Sequence, residues 1–107
     1  MKVVITSQEK EMNSHVDARF GRAAYFALYD TETGQVDWLQ NQVGTQQHGA
    51  GTGAVNRLAN LGVEKIFACV FGAKVKPLLD ELGIQMIVVQ EGETVGHIIE
   101  MLQDRKK

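Results

Sequence analysis

Lys65-Ile66-Phe67-Ala68-Cys69-Val70-Phe71-Gly72 decides the architecture. Seven residues, nearly all apolar and with no alternation, describe a strand covered on both faces rather than one edge of a half-solvated sheet. Gly72 ends it. The rhythm then changes to Val75, Leu78, Leu79 and Leu82, the three-and-four spacing of a helix stripe. Pro77 is tolerated there only in the first turn, and Gly83 supplies the stop. Ile84–Val89 is again short and apolar, so a strand, helix and strand follow one another, as a parallel crossover requires.

Upstream of this unit, Ala54, Val55, Leu58, Ala59 and Leu61 form a helix that begins at Ala50 or Gly53 and stops at Gly62. Downstream, Glu91-Gly92-Glu93 turns the chain and Thr94 is placed to cap a last helix. That helix buries Val95, Ile98, Ile99 and Leu102 and leaves His97 off the stripe, in solvent. Arg105-Lys106-Lys107 suit a helix C-terminus. At the other end of the chain, Lys2–Thr6 is β-branched and apolar on both faces, so it is a second interior strand. Ser7–Asp17 is polar and reads as a loop holding Met12 and His15. Ala24–Asp30 and Gln35–Asn41 flank the turn Thr31-Glu32-Thr33-Gly34 and form a hairpin. In the second hairpin strand Val36 and Trp38 share one face while Asp37 and Leu39 share the other, the pattern of an edge strand with Trp38 in the core. The order is βββαβαβα, an α/β fold with a mixed five-stranded sheet flanked by helices. No linker or repeat interrupts it. We expect one domain over residues 1–107, with a core to about residue 103 and a short basic tail.

Composition narrows the function. With 107 residues, 44% hydrophobic and 22% charged, the chain is of ordinary globular type. A formal net charge of -2 argues against a general nucleic-acid binder. One cysteine cannot form an internal disulfide, no stretch approaches the roughly 20 apolar residues of a membrane span, and the first apolar run is too short for a signal peptide. A cytoplasmic protein is expected.

The chemistry-bearing residues fall in two places. Gln46-Gln47-His48-Gly49-Ala50-Gly51-Thr52-Gly53 runs into the first helix. The first N–H groups of a helix lack internal partners and carry partial positive charge, and Gly49, Gly51 and Gly53 would let an anion come close. His48 adds an imidazole at the rim. The plainer alternative is a flexible loop with an exposed histidine. Arg19-Phe20-Gly21-Arg22 sets two guanidinium groups at the mouth of the second strand, suited to an anion with several oxygen or sulfur atoms. The plainer alternative here is pairing with surface carboxylates. Cys69, Met12 and His15 complete the soft donors, which suit copper or iron–sulfur chemistry better than magnesium or calcium. Inside an apolar strand, Cys69 reads first as a buried inert thiol and only second as a ligand.

Taken together, several segments resemble the dinitrogenase iron–molybdenum cofactor biosynthesis family. They are the amino-terminal strand, Arg19-Phe20-Gly21-Arg22-Ala23, the hairpin Asp30-Thr31-Glu32-Thr33-Gly34, His48-Gly49-Ala50-Gly51 and Gly72-Ala73-Lys74. The family includes NifX-like carriers, the carboxy-terminal domain of NifB and orange proteins that hold a molybdenum–copper sulfide cluster. The resemblance extends from Met1 to about Leu102. It implies a ribonuclease H-like fold with sheet order 3-2-1-4-5. It also implies non-catalytic, non-covalent binding of an anionic metal–sulfur cluster containing molybdenum with iron or copper. Nitrogenase-like or cluster-assembly proteins are the implied partners. The chain departs from the family in two places. Many members have histidine where this chain has Arg19, which leaves His48 as the main imidazole. The usual glycine-rich segment after the fourth strand is Cys69-Val70-Phe71-Gly72, where a thiol can act as ligand or bulky side chains can narrow a pocket.

Two other classes compete. A metal-dependent nuclease needs carboxylates clustered on the central strands, and only Glu64 is near them. A nucleotide or phosphometabolite binder could use Gly49–Gly53, but no Gly-Lys-Ser/Thr follows and a long polar loop precedes it. A partner-docking role is compatible with cluster carriage.

Overall fold

The computed structural model describes residues 1–41 and 50–104; the side chains of residues 50–52 and of residue 104 are outside what is described. Five strands, β1 (Lys2–Ser7), β2 (Tyr25–Asp30), β3 (Val36–Gln40), β4 (Val63–Ala68) and β5 (Gln85–Val88), form one sheet in the order β3-β2-β1-β4-β5. The helices are α1 (Ala50–Asn60), α2 (Val75–Leu82) and α3 (Val95–Asp104). β2 is antiparallel to β1 and β3, whereas β4 is parallel to both β1 and β5. This is the mixed, ribonuclease H-like arrangement expected from the sequence.

Alternation along the strands divides the core into two layers. Val4, Phe26, Leu28, Ile66 and Ala68 face α1 and α2, where they meet Val55, Leu58, Val75 and Leu79. Val3, Ile5, Ala27, Tyr29 and Phe67 face α3 and its Val95, Ile98 and Ile99. Both faces of β1 are therefore dry, which explains its unbroken apolar sequence. Burying a side chain of this size stabilises the fold by about 1.5–3 kcal/mol. Trp38 packs half-buried on the α3 side, and β3 is an edge strand as its pattern indicates.

Boundaries differ from the sequence reading in informative ways. β4 starts at Val63, two residues before Lys65, because Gly62 turns the chain with φ +83° and delivers the buried Val63 opposite Lys2. The register then slips between Lys2 and Val3, so Glu64 sits in a bulge that interrupts the apolar signal. β4 also ends three residues early: pairing with β5 stops at Ala68, and Val70 pairs instead with Arg19. Cys69 thus lies past the strand, half-buried, rather than inside it. The loop expected from Ser7 to Asp17 is tied at its ends, since β1 includes Ser7, Ser7 bridges Val16 and His15 bridges Thr94.

The turn and cap residues act as the sequence suggests. Gly83 closes α2 in the left-handed region, with φ +74°, and its N–H donates to Asp80 and Leu79. Thr94 Oγ1 accepts the His97 N–H at 3.2 Å, so it caps α3. His97 is not simply solvated: its Nδ1 lies 2.6 Å from Glu93 Oε2. The expected basic tail, Arg105–Lys107, lies outside the described residues.

Candidate functional site

β1, β4 and β5 run the same way, and their carboxyl ends share one edge with the start of β2, because Ser7 pairs with Tyr25. β3 ends there as well, with Gln40 opposite Tyr25. α2 and α3 follow β4 and β5, and α1 leads back to the start of β4, so all three helices begin at this edge. In open α/β sheets this edge collects ligands, above all where the connections diverge to opposite sides. Here the divergence falls between β1 and β4.

That crevice is closed by the chain itself. The buried Thr6 accepts the Asp17 N–H through its backbone oxygen at 3.1 Å, and its hydroxyl donates to Asp17 O at 2.9 Å. Val70 N–H then donates to Ala18 O at 2.7 Å, and Phe20 N–H donates to Val70 O at 3.0 Å. Residues 17–20 therefore continue the line of β1 alongside β4. Phe20 is fully buried and stacks on Phe26 and Phe71, with ring centroids 5.7 and 5.8 Å away. Phe71 is a core residue under this ledge, so it does not protrude into a pocket.

Arg19 and Arg22 flank Phe20 and are both exposed. Neither makes an ion pair or a side-chain hydrogen bond among the described residues, so the carboxylate pairing considered from sequence is not seen there. Further cations share the edge. Lys10 Nζ stands 5.7 Å from the centroid of the Tyr25 ring, and Lys74 is exposed at the start of α2. Lys74 makes no side-chain capping bond; the first amides of α2, those of Val75 and Lys76, donate to Gly72 O at 3.0 and 3.4 Å, and Pro77 has no N–H.

The other candidate ligands are dispersed. His48 and Gly49 lie outside the described residues. α1 does begin at Ala50, so Gly51 and Gly53 are in its first turn, and a Cβ added at Gly53 would meet nothing within 4 Å among the described residues. Cys69 packs on the α3 side of the sheet, whereas α1 and Phe20 are on the opposite side. Its thiol is pushed above the ordinary range, first by burial and then by the negative charges of Glu91 and Asp17. A protonated thiol beside two carboxylates is a poor partner for an anion. Met12 lines a different feature, a groove of about 470 Å³ along α3 with Thr94, His97 and Glu100. His15 is exposed near that segment. Among the described residues no group of three or more His, Cys, Asp or Glu side chains could hold a metal ion.

Two residues escaped the sequence reading. Asn41, the last position of the expected third strand, is buried and donates from Nδ2 to Gly21 O at 3.2 Å and Ala23 O at 2.8 Å. Asp17 Oδ2 accepts the Ala24 N–H at 3.1 Å. A polar residue closing an otherwise patterned strand was the available signal for Asn41.

An open mixed sheet whose carboxyl edge carries exposed cations without ion-pair partners among the described residues defines a small α/β protein with its candidate site at that edge. Comparison with known proteins makes the assignment narrower: the chain belongs to the dinitrogenase iron-molybdenum cofactor family, whose profile matches residues 1–105. It is 28% identical to protein NifX of Azotobacter vinelandii over 106 residues, covering 96% of this chain and 65% of NifX, so it spans about two thirds of that relative. Its structure is similar to the apo form of the orange protein from Desulfovibrio gigas, with TM-score 0.88, 30% identity and coverage of 98% and 88% of the two chains. It is likewise similar to a putative NifB protein from Thermotoga, with TM-score 0.82, 34% identity and coverage of 96% and 87%. No described helix is long and apolar enough to cross a membrane.

Proposed function

We propose that this chain, acting as a single domain, is a non-catalytic carrier of an anionic metal–sulfur cluster, held at the carboxyl edge of the sheet. The observation that carries the reading is the pair of exposed arginines without a described carboxylate partner, fixed on a ledge beside the β1–β4 divergence. Family membership supports it, as does similarity to the solved structure of the apo form of the orange protein. The described residues fit a cargo held by charge, amide donors and apolar contact, since they offer no three-ligand cage. The cluster would contain molybdenum with iron or copper. His48, Gly49, Gly51 and Gly53 would complete the site, with His48 the first candidate for a direct metal bond. Cys69, Met12 and His15 rank below it because they occupy other surroundings. The cytoplasm is the compartment that suits a lone thiol, and nitrogenase-like or cluster-assembly proteins are the partners that suit a carrier.

Anaerobic titration of metal-free protein with tetrathiomolybdate, with and without copper(I), followed by desalting and a visible spectrum, tests this. A charge-transfer band should stay with the protein and weaken in His48→Ala. A band unaffected by that substitution would keep the cargo and remove His48 from the site. If no colour is retained, cluster carriage is wrong, and the anion edge serves a nucleotide or other small anion, to be assayed next.

A further inference from the structure

We infer that Asn41 is a positioning residue that presents Arg22 to the bound anion. The inference rests on the proposed anion site and deepens it. One side-chain amide, on a residue only 9% exposed, donates to the carbonyls on both sides of Arg22, those of Gly21 and Ala23. The Asn41 N–H donates to Ala24 O at 3.0 Å, and Asp17 Oδ2 takes the Ala24 N–H. The peptide units around Arg22 are thus held by two buried or half-buried polar residues, while the Arg22 side chain itself is exposed and unpaired among the described residues. The buried Ala23 carbonyl needs a donor in any case, and taking it from the same amide that bonds Gly21 O fixes the peptide units on both sides of Arg22. Such a clamp lowers the entropy lost when the guanidinium engages an anion.

Asn41 also joins two parts of the edge. Its neighbour Gln40 accepts from Arg57 Nη1 at 2.6 Å, which ties α1 to the end of β3. The Arg22 turn and α1 are therefore anchored to adjacent residues, Gln40 and Asn41. Asn41→Asp keeps the shape but turns the donor into an acceptor facing two carbonyl oxygens, so the clamp opens.

The test measures tetrathiomolybdate affinity for the wild type, Arg22→Gln, Asn41→Asp and the double variant, at a temperature where circular dichroism shows all four folded. Arg22→Gln and Asn41→Asp should each weaken binding by roughly tenfold. The double variant should be no weaker than Arg22→Gln, because Asn41 acts through Arg22. Independent, multiplying losses, or an Asn41→Asp variant that binds as the wild type does, would overturn the inference. Failure of the wild type to bind would instead overturn the anion site on which it rests. Backbone ¹⁵N relaxation of the wild type supplies a check that no variant's misfolding can blur. The Arg22 amide should have an order parameter near the rigid value of about 0.85, and a value below about 0.6 would mean there is no clamp.

Discussion

The starts of α2 and α3 lie at the same edge of the sheet and are covered differently, α2 by its own turn and α3 by a distant segment. At α3 the chain supplies its own acceptors: Val95 N–H donates to Ser14 O at 3.0 Å, Gly96 N–H to Met12 O at 2.8 Å, and His97 N–H to Thr94 Oγ1. A methyl group at Gly96 would come within 3.0 Å of Met12 O, so the 8–15 excursion rests directly on the helix. At α2 the cap position is Lys74, which makes no side-chain bond; Val75 and Lys76 N–H both donate to Gly72 O, at 3.0 and 3.4 Å, Pro77 has no N–H, and residues 72–74 are exposed. Nearby, Arg19 and Arg22 have no described partner. A helix start whose amides are already bonded has little to offer an anion, so what an anion would meet near α2 is exposed cations rather than free amides. On the proposed reading, the side of the sheet bearing α1 and α2 is the binding side and the α3 side is structural.

This contrast can be broken in several ways. The largest effect should come from Phe20→Ala, which empties the stack beneath both arginines. We expect a loss of about 3–5 kcal/mol in chemical denaturation, together with loss of anion binding. Arg19→Gln combined with Arg22→Gln should leave stability within about 0.5 kcal/mol, as surface changes do. The pair should nevertheless weaken tetrathiomolybdate binding by roughly ten- to a hundredfold and flatten its salt dependence, measured by titration at two ionic strengths. Thr94→Ala should show the reverse profile, costing about 1 kcal/mol in unfolding free energy and leaving the affinity unchanged. Gly53→Ala sharpens the comparison, since among the described residues nothing lies within 4 Å of the added methyl. It should stabilise α1 by up to about 1 kcal/mol and reduce anion affinity, because bare backbone is what the site uses.

The smallest effect concerns Cys69. With its thiol raised above the ordinary range, the folded protein should alkylate more slowly with iodoacetamide at pH 8 than the unfolded chain does. The sign for stability follows from the same shift. The folded state binds the thiol proton more tightly than the unfolded state. This contribution is fully present below the unfolded thiol pKa and disappears as pH rises through the higher folded value.

Most of the fold was legible because its signals are local and agree with one another. The apolar runs of β1 and β4, the stripe Val95–Leu102, the stops at Gly62 and Gly83 and the Thr94 cap each point to one conformation. What was hidden depended on contacts far apart in sequence. The bulge at Glu64 exists only because Lys2 and Val3 pair across a slipped register. Residues 17–20 extend the sheet only because Val70 accepts them. Of the site, the arginines were visible by type and spacing. Asn41 was not, because its role consists of two carbonyls 18 and 20 positions away. Cys69 was misplaced because an apolar sequence continues past the point where its neighbours stop pairing.

The most direct measurement is a ¹H–¹⁵N correlation titration of the protein with tetrathiomolybdate under anaerobic conditions. Shifts should concentrate on Arg19, Arg22, Ala50–Gly53 and Gly72–Lys74 and leave Val95, Gly96 and His97 in place. Perturbation centred on Val95–His97 and the Met12 groove would contradict the account, because it would put the anion at the helix start covered by the 8–15 segment instead of at the arginines.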